Sequence, residues 1–240
     1  MNIALIGYGK MGKAIESIAI EKNHSIVLKI DIHNAAEFTT ANLSKADVAI
    51  EFTGPHSAVA NIKKCIDAGV PVVSGSTGWL KEWEEVKAYC EANNGTLIYA
   101  SNYSIGVNLF FEINKQLAAL MDAYPEYDIT MKEVHHTEKK DAPSGTAITL
   151  AEQVLERVSR KKQWVNDTSS YHANELLIES ERTDPAPGTH HVKYSSAIDD
   201  IEIIHTAHNR IGFAGGAVKA AEFAKNKRGI FGMKDVLGLS

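Results

Sequence analysis

Apolar positions along this chain keep one rhythm up to about residue 104 and another beyond it. In the first stretch, short apolar runs alternate with segments whose apolar residues recur every three to four positions. Asn2–Ile6 (NIALI), Ser25–Ile30 (SIVLKI), Ala46–Phe52 (ADVAIEF), Val70–Ser74 (VPVVS) and Thr96–Ala100 (TLIYA) read as buried strands. The segments at about Lys10–Lys22, Ser57–Ala68 and Leu80–Asn93 read as helices. Strands alternating with helices predict a doubly wound parallel sheet, whose ligands sit at the carboxyl ends of the strands. Those ends carry polar turns: Thr53-Gly54-Pro55, Gly75-Ser76-Thr77-Gly78 and Ser101-Asn102-Tyr103-Ser104.

Beyond Ser104 the spacing predicts a long amphipathic helix over Gly106–Ala123, with Leu109, Ile113, Leu117 and Leu120 along one stripe. A strand follows at Tyr127–Val134, ending at His135-His136. A helical period returns at Ile148, Leu150, Ala151, Val154, Leu155 and Val158, so a helix starts near Ser144, a plausible N-cap. Glu175–Ser180, Thr189–Ser195 and Ile201–Thr206 alternate as strands. The fold class expected is α/β: a Rossmann-type parallel sheet first, then an α+β domain with an open mixed sheet.

The first turn sharpens that expectation. Gly7, Gly9 and Gly12 in GYGKMG have the spacing G-x-G-x-x-G, after a strand and before a helix. Gly7 permits the tight turn, Gly9 lets a backbone approach a pyrophosphate, and Gly12 lets the helix pack close to the strand. Asp31 ends the second strand about 20 residues further on, where an acid hydrogen-bonds ribose hydroxyls. A dinucleotide site is the reading, with the glycine-rich turn alone as its bland alternative.

Composition adds exclusions. With 240 residues, 44% of them hydrophobic and 23% charged, the chain is of ordinary globular make-up. A net charge of -5 gives no reason to expect nucleic-acid binding, although a local cationic pocket can still hold a small anion. Cys65 and Cys90 fall in helical segments and read as buried hydrophobes, not a disulfide or metal pair. No signal-peptide pattern opens the chain and no apolar run reaches bilayer length, so no membrane association and a cytoplasmic protein are expected. No internal repeat or low-complexity tract is present.

The segment Glu133–Thr146 (EVHHTEKKDAPSGT) carries the chemistry. It places two imidazoles, the ammonium groups of Lys139 and Lys140, and an open helix N-terminus within a dozen residues. Lysine supplies charge and the helix end directed donors, which suits a carboxylate. Imidazole is the side chain best placed to exchange a proton near neutral pH. A metal site is not expected, because adjacent histidines on a strand point to opposite faces and no further ligand spacing completes one. Lys140 reads as solvated charge.

This string closely resembles the signature of the 4-hydroxy-tetrahydrodipicolinate reductase (dihydrodipicolinate reductase) family of the diaminopimelate route to lysine. The resemblance extends through GYGKMG, EFTGP, GSTGW, ASNYSIGVN, GFAGGAVKAAEF and GIFGMKDVLGL. It implies that His135 is the proton donor and Lys139 its charged partner. His136, Ser144, Gly145 and Thr146 would hold the carboxylates of a small dicarboxylate substrate, with Arg210 nearby. Gly7, Tyr8, Gly9, Lys10, Met11, Gly12, Asp31, Gly75, Ser76, Thr77, Ala100, Ser101, Asn102 and Tyr103 would line NADH or NADPH. The glycine loop is one residue shorter than the family's usual form, with Lys10 where an arginine is common. Asp31 favours NADH, since a carboxylate repels a 2′-phosphate, so NADH is expected to serve at least as well. The resemblance also implies a nucleotide domain of residues 1–104 and 211–240, a substrate-binding and oligomerisation domain of residues 105–210, and a homotetramer.

Two rivals remain at this level. A semialdehyde dehydrogenase of related fold would need an active cysteine, and both cysteines lie away from strand ends. A nicotinamide-sensing or scaffolding protein would have lost His135 or Lys139, and both are present.

Overall fold

The computed structural model describes residues 1–166, 169–209 and 211–239. Arg210, expected near the substrate, lies outside the described residues. The chain divides into two compact units, Met1–Ile105 with Ile211–Ser240 and Gly106–Arg210, each built on its own sheet.

The first unit opens with β1 (Asn2–Ile6), α1 (Lys10–Glu21), β2 (Ser25–Ile30), α2 (Thr40–Leu43), β3 (Val48–Glu51), α3 (Ala58–Asp67), β4 (Val72–Ser74), α4 (Trp83–Ala92) and β5 (Thr96–Tyr99). The second holds nearly all of α5 (Ile105–Met121), then β6 (Asp128–His135), α6 (Gly145–Leu155), β7 (Gln163–Val165), β8 (Glu175–Arg182), β9 (Gly188–Ser195) and β10 (Asp200–Ala207). The chain then returns to the first unit with α7 (Ile211–Ala224), β11 (Gly229–Phe231) and α8 (Met233–Leu237).

In the first unit the strand order is β11-β5-β4-β3-β1-β2, parallel throughout. Strand alternation divides the core. Ile3 and Leu5 of β1 join Ile15, Ala19 and the alanines of α7 on one face. Ala4 and Ile6 join Ile62, Cys65, Val86 and Cys90 of α3 and α4 on the other. Each fully buried Leu or Ile contributes about 1.5–3 kcal/mol. Both faces are covered, which is why these strands read as unbroken apolar runs. The carboxyl ends of the strands are left for the polar turns.

The second unit has the order β10-β9-β6-β8-β7. β9 runs antiparallel to β6 and β10, while β8 is parallel to β6 and β7. The expected mixed sheet is therefore present. One face packs on α5 and α6 through Phe110, Ala118, Met121, Leu150 and Val154.

The stripe drawn on α5 needs correction. Such a stripe ordinarily faces the core, yet Leu109, Ile113 and Leu120 are 43%, 51% and 68% exposed. The buried side is instead Val107, Phe110, Asn114, Ala118 and Met121. The apolar arc of this helix is wider than one face, with Asn108, Glu112, Lys115 and Gln116 on the remaining side, so periodicity does not choose its packed face. A polar pair helps to choose it: buried Asn114 Nδ2 donates to Leu150 O at 3.1 Å and Gln153 Oε1 at 3.0 Å, and such paired polar groups specify register. Among the described residues, no helix is long and apolar enough to cross a membrane.

Candidate active site

The turn after β1 is built as the glycine spacing requires. Gly7 has φ +97°, and a Cβ there would overlap the Phe52 carbonyl oxygen, so only glycine makes this turn. A Cβ on Gly12 would come within 2.5 Å of Gly7 O, which lets α1 close on the turn. Gly9 is the N-cap of α1 and has open space beside it.

A groove of about 680 Å³ runs past Gly7, Tyr8, Gly9, Asp31, His33 and Asn61. A neighbouring groove of about 430 Å³ is lined by Gly9, Lys10, Met11, Gly75, Ser76 and Thr77. Thr53, Gly54 and Pro55 border both. The fold thus gathers the glycine turn, Asp31 and the turn after β4 along one surface, which fits a dinucleotide. Asp31 Oδ1 accepts from His33 N at 2.7 Å, and Asp31 N donates to Asn34 Oδ1 at 2.8 Å, fixing the turn that presents the carboxylate. Tyr8 hydroxyl donates to Glu16, which also pairs with Lys29 at 2.7 Å.

Ala100–Tyr103 are not part of these two grooves. Tyr103 is a core residue: its ring packs in the hydrophobic cluster, and its hydroxyl reaches Ser74 O at 2.8 Å and Ile98 O at 3.1 Å. The Tyr103 side chain therefore has a structural role beneath the turn after β4. Asn102 Oδ1 accepts from Ser104 N at 2.8 Å.

Sequence reading missed Glu51. Fully buried at the end of β3, it accepts from Thr53 N at 3.1 Å, Ser74 Oγ at 2.7 Å and Ser76 Oγ at 2.8 Å, and from the Thr53 hydroxyl. It ties the turns after β3 and β4 together. Its signal was an acid ending an apolar strand, in AIEF.

In the second unit, β6 buries alternate residues Ile129, Met131, Glu133 and His135. The apolar period thus continues into a carboxylate and an imidazole. Glu133 Oε1 accepts from Ser180 Oγ at 2.9 Å and from Arg182 Nη2 at 3.1 Å, while Ser144 N lies 3.1 Å from both carboxylate oxygens. His135 Nδ1 is 3.3 Å from Glu133 Oε2, and His190 Nε2 is 3.8 Å away. The His135 and His190 rings meet edge to face, with centroids 5.1 Å apart.

Burial works against ionisation of Glu133, but the adjacent His135 ring and the hydrogen bonds from Ser144 and Ser180 prevail and hold its carboxyl well below the usual range. His190 goes the other way for an imidazole: burial and the nearby His135 push its pKa down to about 3, against the pull of Glu133. Glu133, His135 and His190 lie close enough to chelate a cation. Their carboxylate, however, is already occupied by a guanidinium, a hydroxyl and a backbone N–H.

Lys139 and Ser144–Thr146 lie beside this cluster in sequence, and the structure separates their roles. Lys139 Nζ donates to both oxygens of Asp141 at 2.8 Å, which holds the Asp141 carboxyl below its usual range. Arg182 reaches the carbonyls of Lys139 at 3.3 Å and Asp141 at 2.6 Å, and so joins this loop to Glu133. Ser144 is the N-cap of α6, as expected, accepting from Ala147 N at 3.2 Å. It is buried, with its backbone N–H turned to Glu133, so Ser144 organises the site from beneath. Gly145 is exposed, with nothing within 4 Å of an added Cβ. His136 points elsewhere than His135, into a groove of about 400 Å³ with Thr137, Asp184 and Asn209.

Comparison with known proteins follows the same division. The family model described as dihydrodipicolinate reductase, N-terminus, matches residues 1–103, and that described as dihydrodipicolinate reductase, C-terminus, matches residues 106–237. A 4-hydroxy-tetrahydrodipicolinate reductase of Christiangramia forsetii is 49% identical over 237 residues, covering 99% of this chain and 98% of its own. One from Methanosarcina barkeri is 36% identical over 266 residues, covering 100% of both chains. Among solved structures, the dipicolinate-bound dihydrodipicolinate reductase of Paenisporosarcina sp. TG-14 superposes with a TM-score of 0.77 at 22% identity, covering 97% of each chain.

Proposed function

This chain belongs to the dihydrodipicolinate reductase family, and from that membership we propose that it protonates its substrate from His135. The reaction reduces 4-hydroxy-tetrahydrodipicolinate to tetrahydrodipicolinate in lysine biosynthesis via diaminopimelate. It consumes one hydride and one proton and releases one water. NAD(P)H, when bound, supplies the hydride; this chain's residues bind, orient and move the proton. Gly7–Gly12, Asp31 and Gly75–Thr77 hold the dinucleotide.

The observation that carries the proton-donor role is His135 itself, buried at a strand end against an ionised carboxylate. A buried anion fixes the ring's orientation. The substrate carries two carboxylates. Lys139 supplies one cation: its pair with Asp141, whose side chain is 59% exposed, is worth little, so the ammonium exchanges that partner for substrate at low cost. The outward first turn of α6 at Gly145 and Thr146 receives the other carboxylate through directed donors and the helix dipole. The negative charge of Glu133 does not repel the substrate, because Arg182 balances it from within.

Assembly as a homotetramer accounts for the exposed apolar side chains Leu109, Ile113 and Leu120 of α5 and Ile201 and Ile204 of the edge strand β10. Faces of this kind mark association surfaces. The cytoplasm is the proposed compartment.

The test is oxidation of NADH by the purified protein, given the condensation product of pyruvate and aspartate semialdehyde. Turnover is expected. Absence of turnover in a folded, NADH-binding protein contradicts the reading.

A further inference from the structure

We infer that Glu133 and Gly188 act together as positioning residues that make Nε2 of His135 the proton-delivering atom. The inference rests on the proton-donor role given to His135. Nδ1 is buried without a hydrogen-bond partner of good geometry, and the charged group beside it is Glu133 Oε2 at 3.3 Å. A carboxylate accepts and does not donate, so a proton on Nδ1 is favoured there. Neutral His135 then carries its hydrogen on Nδ1 and leaves Nε2 as the atom that takes up and gives away the exchangeable proton.

The other side of the ring is kept clear by Gly188, the first residue of β9. A Cβ at this position would stand 3.1 Å from His135 Nε2 and 3.3 Å from Cδ2, closer than side chains ordinarily pack. Any other residue here would crowd the edge of the ring from which the proton leaves. Register explains how the two meet. β6 and β9 pair antiparallel with Val134 opposite Thr189 and Glu133 opposite His190, so the start of β9 falls beside the end of β6. One strand supplies the carboxylate that orients the ring and the other the absence of a side chain that frees it.

Glu133 is itself held. Ser144 N, Ser180 Oγ and Arg182 Nη2 fix its oxygens, so the carboxylate cannot turn away from the imidazole without leaving buried donors unpaired. This fixed partner distinguishes positioning from mere proximity.

Histidine-selective ¹⁵N labelling tests it in the whole protein at alkaline pH, with His135 assigned by the spectrum of His135→Gln. The expected result is the Nδ1–H tautomer for His135 in the unaltered protein and a shift of population to Nε2–H in Glu133→Gln. A dominant Nε2–H tautomer in the unaltered protein overturns the inference, and this needs no variant to fold. Kinetically, Glu133→Gln is expected to lower kcat by about 100-fold, the span of a general acid's contribution, with KM for NADH unchanged and partial recovery in Glu133→Asp. Gly188→Ala is expected to lower kcat by about tenfold; wild-type kcat in that variant overturns the role of Gly188. Failure of the unaltered protein to turn over would instead sink the reductase reading, and the tautomer measurement separates the two.

Discussion

The backbone N–H of Ser144 lies 3.1 Å from both carboxylate oxygens of Glu133, so the residue that caps α6 is also moored to the end of β6. Strand end and helix start are thereby held as one piece. The imidazole of His135 and the first turn of α6 keep their spacing because a buried anion joins them.

This mooring separates the effects of two substitutions. Ser144→Ala keeps the backbone N–H and loses the hydroxyl cap and the hydroxyl's contact with His190 Nε2 at 3.2 Å, a cost of about 1–2 kcal/mol and a fall in Tm of about 2–8 °C for a chain of this size. Glu133→Ala strands Arg182, Ser180 and the Ser144 N–H, with an expected loss of about 3–5 kcal/mol. Urea denaturation of both variants measures the difference. Equal losses contradict the picture of Glu133 as the hub.

Acid sensitivity follows from His190. Its pKa is about 3 in the folded protein against an ordinary 6.5, so between those values the unfolded chain binds a proton that the folded one does not. Stability contributed by this group is complete above pH 6.5 and is lost as pH falls towards 3, at about 1.4 kcal/mol per pH unit. Glu133, ionised in the fold with a lowered pKa, adds a loss of the same sign once pH falls below the ordinary carboxylate range. Thermal denaturation from pH 7 to pH 4 is expected to show Tm falling, with a shallower fall in His190→Gln. An unchanged slope in that variant contradicts the assignment.

The other buried glutamate makes a parallel case in the first unit. Glu51→Leu leaves the hydroxyls of Ser74 and Ser76 without their carboxylate acceptor, while the Thr53 N–H keeps Ser76 Oγ at 2.8 Å, at about 1–3 kcal/mol for each donor left unpaired. The turns bordering the second groove then lose their tie, so NADH affinity is expected to fall along with Tm. Fluorescence titration of NADH into a variant that is still folded reads this directly, and undiminished affinity counts against the role given to Glu51.

Cofactor choice is read at Asp31. Asp31 lines the larger groove beside Ile32 and His33, and a carboxylate in such a position accepts ribose hydroxyls and repels a 2′-phosphate. Replacing it with serine is expected to move the NADH/NADPH ratio of kcat/KM towards NADPH by about tenfold, or ~1.4 kcal/mol. A wild-type enzyme already strongly selective for NADPH contradicts the reading.

Much of this site was legible in the sequence because its signals are local. The glycine turn, the strand ending at His135 and the cap at Ser144 each depend on residues within a few positions of one another. Glu133 was visible but unremarkable. What makes it the hub is strand pairing: β9 sets His190 opposite Glu133 and β8 sets Ser180 opposite it, with Arg182 opposite His135. Those partners are brought from some 50 residues away by sheet register, which no local pattern encodes. The packed face of α5 was hidden for another reason, since a helix apolar on several sides gives periodicity no contrast. The inward turn of Tyr103 was hidden as well, because the polar turn around it does not show that its hydroxyl donates to carbonyls of the core.

The central claim is that His135 delivers the proton while Lys139 holds substrate. Steady-state kinetics of His135→Gln and Lys139→Ala, with NADH binding measured separately, tests it most directly. The expected result is a fall in kcat of about 10²–10⁴ for His135→Gln with NADH affinity kept, and for Lys139→Ala a raised substrate KM besides any loss of kcat. Small, equal losses in the two variants would contradict it.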